Sequence, residues 1–234
     1  MSKDYWSKPP PASSCLVAVV LVAGDNFVPG TGITYIAPSN AAFFMDNPIR
    51  ITLARKKTEL KQIIELQKKN HLETVSEDTA KDQGFVTAVH TYEVLEAMNS
   101  AAASVIAKDG TKVVGYALTM KREFANEVPA LTELFERQDN AIHHGQRLGD
   151  QNYLVMGQTC VAEEVRGQRV VDRMYKYMRS CYSLHYPYLV TAIDARNARS
   201  IRVHERIGFK LLDRFIGEES GKDWMLVIWD WERK

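Results

Sequence analysis

Cysteine is scarce: there are three in 234 residues, Cys15, Cys160 and Cys181, odd in number and scattered. That excludes a disulfide framework and fits a reducing compartment, so a cytoplasmic location is expected. Metal-binding spacings of the CxxC or HExxH kind are missing too. Net charge is nearly absent. Thirty Lys plus Arg against 29 Asp plus Glu leave +1, so no bulk field draws nucleic acid or an anionic membrane, and any basic site must be local. The apolar run "CLVAVVLVAG", Cys15–Gly24, is too short to cross a bilayer, where roughly 20 residues are needed. Lys3 and Lys8 ahead of it give the look of a signal-peptide core, but Pro9-Pro10-Pro11 inside the would-be leader counts against that. A peripheral strand and an added extension both remain open. Met45 stands directly before "DNPIRITLARKKTEL", where the regular pattern begins. Residues 1–48 therefore read as an N-terminal extension, with 1–44 as the part upstream of that methionine, and 49–234 as one domain.

What is present suffices for one substantial core, since 45% of the chain is apolar. "IRITLA" alternates as a strand should, and "ELKQIIELQKK" behind Thr58 places Leu60, Ile63, Ile64 and Gln67 on one helical face. After the polar stretch "TVSEDTAKDQ", the spacing of Phe85, Val89, Tyr92 and Leu95 or Glu96 predicts a second helix across "FVTAVHTYEVLEAM". Asp109-Gly110 between two apolar runs predicts an antiparallel hairpin, because the tight turn demands positive φ. A helix over "PALTELFERQDNAI" and a polar loop with His143, His144, Gly145 and Gly149 come next. Adjacent histidines point in different directions and find no partner ligand nearby in sequence, so a solvated loop and no metal are expected. Then follow strand "YLVMGQTCVA", a helix from Gln168 to about Leu184 with Val170, Val171, Met174, Tyr175 and Met178 inward, and strand "YLVTAID" after Pro187. A short helix capped by Asn197 or Ser200 ends at Gly208, and strands "FKLLDRFIG" and "DWMLVIWDW" close the chain. The order β, α, α, β, β, α, β, α, β, α, β, β, with no repeats, predicts a single α+β domain around a mixed sheet.

The corner "VRGQRV" hands a strand over to a helix. A helix start presents backbone N–H groups with no internal partner and about half a positive charge, a ready seat for an anionic phosphate. Gly167 lets the backbone approach a ligand closely, and Arg166 and Arg169 can add charge-assisted bonds.

"VAEEVRGQRVVDRMY" followed by "DARNARSIRVHERIGFKLL" resembles the GNAT superfamily of acetyl-coenzyme A-dependent N-acetyltransferases. That family carries Q/R-x-x-G-x-G/A on the turn into a helix. Laid on this chain the signature begins at Arg166, with Gly167, Gln168 and Val170 at variable positions. Arg169 then stands where glycine is usual, and Val171 where glycine or alanine is usual. After the next strand the family shows an Asn, a small residue three on, a Tyr seven on, and Gly-Phe. Here these are Asn197, Ser200, His204 and Gly208-Phe209. The motifs occupy about 50 residues, Gln158–Phe209; the order of elements agrees from Ile49 to Lys234.

The resemblance implies a mostly antiparallel seven-stranded sheet flanked by helices, and acetyl-CoA as co-substrate with no metal. The coenzyme would lie between two splayed strands, contacted by Val161, residues 166–171, Asn197 and Ser200. A backbone N–H near Val161 would polarise the thioester carbonyl, and a general acid would protonate the departing thiolate. His204 takes the acid's place, with a reference pKa of about 6.5. Tyr175 and Tyr177 are its alternatives. Glu123 is the first choice of base, ahead of Asp194, Glu163 and Glu164. Cys160 reads as a buried small hydrophobe rather than a nucleophile. In related folds the last strand often pairs between copies, so a homodimer is expected. The acceptor is a primary amine of a small molecule or peptide, with no nucleic acid or membrane as partner. The replacements at Arg169, Val171 and His204 motivate the alternative, a CoA-binding or ligand-sensing protein without turnover.

Overall fold

The computed structural model describes residues 49–71, 73, 74, 85, 86, 89–126, 132–218 and 220–232. The extension 1–48 and most of the polar stretch after Thr74 lie outside the described residues. Strand β1 (Arg50–Leu53) leads into α1 (Lys57–Asn70), whose buried face is Leu60, Ile63, Leu66 and Gln67, with Ile64 at its margin. Helix α2 covers Tyr92–Ala101 and starts later than its apolar spacing predicts. The Thr91 side chain accepts the Val94 N–H and caps the helix there. Phe85 and Val89 are therefore not helical. Instead Val86 forms a parallel bridge to His71 and donates its N–H to the Asn70 carbonyl, so this segment runs beside the end of α1.

The hairpin follows as expected: β2 (Val105–Asp109) and β3 (Lys112–Met120) are antiparallel about Gly110, whose φ is 55°. All of Val113–Met120 is buried, so both faces of β3 are covered, and α1, α2 and α4 all pack against it. Helix α3 (Thr132–Asn140) precedes what the sequence suggests is a polar loop. It is a small antiparallel hairpin, β4 (Ile142–His143) and β5 (Gln146–Arg147). Strand β6 (Tyr153–Val161) leads to α4 (Val170–Tyr182), with Val170, Met174, Tyr175 and Met178 buried and Val171 at the edge. Strand β7 (Tyr188–Asp194), α5 (Ala198–Ile207), β8 (Lys210–Ile216) and β9 (Asp223–Asp230) complete the chain.

The large sheet runs β1-β2-β3-β6-β7-β9-β8, antiparallel throughout except between β6 and β7. That parallel contact is brief. It pairs Tyr153–Val155 with Tyr188–Val190 and stops, although both strands continue. Beyond it β6 stays on β3 and β7 stays on β9, so the sheet forks. The Thr191 hydroxyl, donating to the Met156 carbonyl at 2.8 Å, sits at the crotch of the fork. No helix of the described residues is long and apolar enough to cross a membrane.

Candidate active site

The fork opens into a cleft. Thr159, Cys160 and Val161 line it from β6, Asn197, Ser200 and His204 from the region of α5, and Phe85 and Val86 from the irregular segment. An adjoining cleft shares several of these residues and reaches Gly157, Thr191 and Asp194. Main-chain polarity here follows from strand pairing. Ala162 donates to the Val114 carbonyl at 2.8 Å, so 114 and 162 form a hydrogen-bonded pair. Their neighbours Gly115 and Val161 are then a non-hydrogen-bonded pair, and the Val161 N–H is directed away from β3. Thr159, two residues earlier, has the same sense. On that side β7 has departed, so both N–H groups face the opening.

At the far end of β6 the chain turns through Glu163–Val165 and then Arg166–Arg169 into α4. Two backbone conformations make this corner. Gly167 has φ 79°, and nothing lies within 4 Å of where a Cβ would stand, so a ligand can approach. Arg169 has φ 54° and ψ 29°, left-handed without being glycine. The chain thus keeps, at the position where the family usually has glycine, the conformation glycine favours, at a cost of about 1–2 kcal/mol. Arg169 makes no side-chain cap bond, so the first N–H groups of α4, at Val170, Val171 and Asp172, start the helix without one.

The arginines divide the work differently from expectation. Arg166 turns inward: its guanidinium donates to Asn70 Oδ1 at 2.7 Å and to the Val161 carbonyl at 3.3 Å, tying α1 to the end of β6. Gln168 and Arg169 are exposed. Arg199, unassigned by the motifs, lines the cleft; burial, then Arg166 and Arg202, lower its pKa. Like charges crowded around a cleft suit a polyanion. Asp172 opposes this, but Arg206 grips it with bonds of 3.0 and 2.7 Å and holds its carboxyl below the usual range.

Asn197 caps α5, its carboxamide oxygen accepting the Ser200 N–H at 3.0 Å while its nitrogen donates to the Phe85 carbonyl at 3.3 Å. It therefore fastens the segment at 85 to the mouth of the fork. His204 does not match the expectation of a group that titrates near neutrality. It is 2% exposed, and burial pushes its pKa down to about 4. Nδ1 lies 2.7 Å from the Ser200 carbonyl, an acceptor only, so that nitrogen carries the proton. Nε2 must then accept, and the buried Tyr175 hydroxyl at 2.7 Å donates to it. Burial raises Tyr175 far above its ordinary range. The pair is a neutral, internally satisfied unit, with His204 in the cleft wall and Tyr175 behind it.

Glu123 is not brought to the opening. It lies on the turn Arg122–Asn126 just past Met120, whose strand partner is Val155 at the closed end of the fork. Six residues along β6 separate Val155 from Val161, about 20 Å at 3.3 Å per residue. The Glu123 side chain is 65% exposed and lies 3.7 Å from Lys121. Asp194 does line the cleft. Burial opposes its ionisation, but the Arg196 guanidinium at 2.6 and 3.0 Å and the Arg196 N–H outweigh that and keep it a carboxylate. Glu164 pairs with Lys112 at 2.6 Å. Cys160 is half-buried on the cleft wall, and desolvation pushes its thiol up to about 11, which disfavours the thiolate a nucleophile needs.

A forked seven-stranded sheet, with a helix start aimed at the mouth of the fork, is the fold of the GNAT acetyltransferases. Solved structures agree. The chain is similar to the mosquito arylalkylamine N-acetyltransferase like 5b, with TM-score 0.57 and 14% identity over 78% of this chain and 100% of that one. It is similar to yncA from Salmonella typhimurium, solved with its cofactor acetyl-CoA, with TM-score 0.55 and 15% identity over 80% and 96%. A GNAT-family acetyltransferase from Streptococcus agalactiae gives TM-score 0.52 and 12% identity over 78% and 95%. No family model matches the sequence, and no curated protein matches it.

Proposed function

We propose that residues 49–234 form an acyltransferase domain that moves an acetyl group from acetyl-CoA to a primary amine. The observation that carries this reading is the fork itself. Two main-chain N–H groups, at Thr159 and Val161, point into a cleft that ends at a left-handed corner and a helix start. The helix start and the arginines around Arg199 suit a diphosphate, and the N–H groups suit an extended amide arm and a thioester carbonyl. With the acyl donor held there, the N–H of Val161 or Thr159 stabilises negative charge on the carbonyl oxygen as the amine attacks. As the C–N bond forms and the C–S bond breaks, the proton given up by the amine passes to the departing thiolate, with the Ser200 hydroxyl on the cleft wall beside His204 as its relay. Tyr175 and His204 hold this wall in one arrangement rather than exchange a proton with solvent. The acceptor amine enters deprotonated.

A second reading is favoured by one observation. The imidazole and carboxylate on the cleft walls, His204 and Asp194, are both committed to internal partners. A CoA-binding sensor without turnover needs nothing more. Purified protein separates the two. Acetyl-CoA at 100 times its dissociation constant is expected to stabilise the fold by about 2.7 kcal/mol. Thiol release with a panel of amines then reports turnover. Stabilisation without release across the panel selects the sensor, and no stabilisation by any CoA species rejects both.

A further inference from the structure

The β4–β5 hairpin has a two-residue loop, His144-Gly145, with φ of 53° and 79°. Positive φ at both central residues defines the type I′ turn, where Asn-Gly, Asp-Gly or Gly-Gly is the ordinary choice. Histidine here spends backbone energy, and strain of this kind points toward a use. The use is visible in what the turn does to the two imidazoles. In regular strand His143 and His144 would face opposite ways. The left-handed step brings their rings to 3.8 Å between centroids and both Nε2 atoms toward one oxygen, Asp230 Oδ2, at 3.7 and 3.1 Å. Asp230 lies 86 residues further on, at the last position of β9 and directly across from Tyr188 of β7. Its other oxygen accepts the Glu232 N–H at 2.9 Å, which fixes the carboxylate, and the Tyr188 ring meets His143 edge-on at 5.0 Å.

We propose that His143, His144 and Asp230 form a binding site for a divalent transition metal of the zinc class, which fastens the β4–β5 insertion to the end of β7 and β9. Ligand atoms about 2.0–2.2 Å from a tetrahedral zinc ion lie about 3.3 Å from one another. The separations of 3.1 and 3.7 Å bracket that value, and the three ligand atoms all lie within 4.8 Å of each other. Two imidazoles and one carboxylate suit zinc and its neighbours, whereas magnesium and calcium prefer oxygen ligands. Three protein ligands leave the fourth position to water. The site lies at the closed end of the fork, so the metal acts as a clasp on the fold, and the proposal stands whether or not acetyl-CoA is the substrate.

The test uses the full chain, stripped with chelator and titrated calorimetrically with Zn²⁺, with Mg²⁺ as control and Co²⁺ absorption as the report of tetrahedral coordination. One Zn²⁺ per chain is expected, raising the unfolding midpoint by roughly 5 °C at saturation. His144→Asn keeps a residue suited to the turn, so it should fold, with its metal-free midpoint unchanged or higher. Its zinc affinity should fall at least tenfold, as should that of Asp230→Asn. Absence of zinc binding by the wild-type chain overturns the proposal. So does wild-type affinity retained in both variants, which would put the ion elsewhere, at Cys160 or Cys181 for example.

Discussion

Among the described residues two non-glycine residues have positive φ, Arg169 and His144, and they stand at opposite ends of the fork. Arg169 ends the corner after β6, where β6 and β7 have separated; His144 turns the hairpin that packs where those strands are paired. At the open end a strained backbone exposes N–H groups and leaves the side chain in solvent. At the closed end a strained backbone gathers side chains and leaves the N–H groups incidental. A bound diphosphate would use main chain at the first, and a metal ion would use imidazole at the second. The same dihedral signature therefore does not name a ligand; the groups it frees do.

The sharpest way to break this contrast is Val161→Pro. The change deletes an N–H that makes no ladder bond, so the sheet should survive it. If that N–H stabilises the reacting carbonyl, thiol release falls by about 10²–10³-fold, or roughly 2.7–4 kcal/mol. An unchanged rate in a folded variant transfers that role to Thr159 or removes it.

His204 sets the next effect. Its folded pKa is pushed down to about 4, below the ordinary His value, so its contribution is fully present above about pH 6.5 and is lost as pH falls toward 4. The loss amounts to something on the order of 3 kcal/mol. In denaturant unfolding, His204→Phe should flatten stability against pH across that window. The rate profile between pH 6 and 8 should show no limb that disappears with this substitution; such a limb would restore His204 as the acid.

A smaller effect is expected from Arg206→Ala, which uncovers the Asp172 charge beside the helix start. Acetyl-CoA affinity should fall about fivefold, near 1 kcal/mol, and Asp172→Asn in the same chain should recover most of it. Recovery failing would mean that Asp172 does not face the ligand. The smallest effect on binding is expected from Arg169→Gly, which relieves the left-handed backbone and should raise stability by about 1 kcal/mol. Its effect on affinity should stay within a few-fold, since the corner contributes N–H groups and not the guanidinium.

Much of the fold was legible because its signals are local. Asp109-Gly110 spells a hairpin, Asn197 and Gly208 bracket α5, and the period of Val170, Met174 and Met178 marks α4. The start of α2 was misjudged because Phe85 and Val89 keep helical spacing without being helical: Val86 bridges His71, and the cap at Thr91 decides where the helix begins. The corner at 166–171 was legible as a corner, while its conformation was not, since only glycine announces positive φ and residue 169 is arginine. Long-range partners were invisible. Tyr175 lies 29 residues from His204, and without it the imidazole looks titratable. Asp230 lies 86 residues from His144, and without it two adjacent histidines look like solvated loop. The position of Glu123 was hidden for the same reason, because only strand register shows it at the closed end of the fork.

Amide hydrogen exchange with and without saturating acetyl-CoA tests the central claim most directly. Slower exchange is predicted at Thr159, Val161 and residues 170–172, with little change at Ala162, whose N–H already bonds to Val114. Unchanged exchange at those five amides under conditions where acetyl-CoA binds would contradict the account.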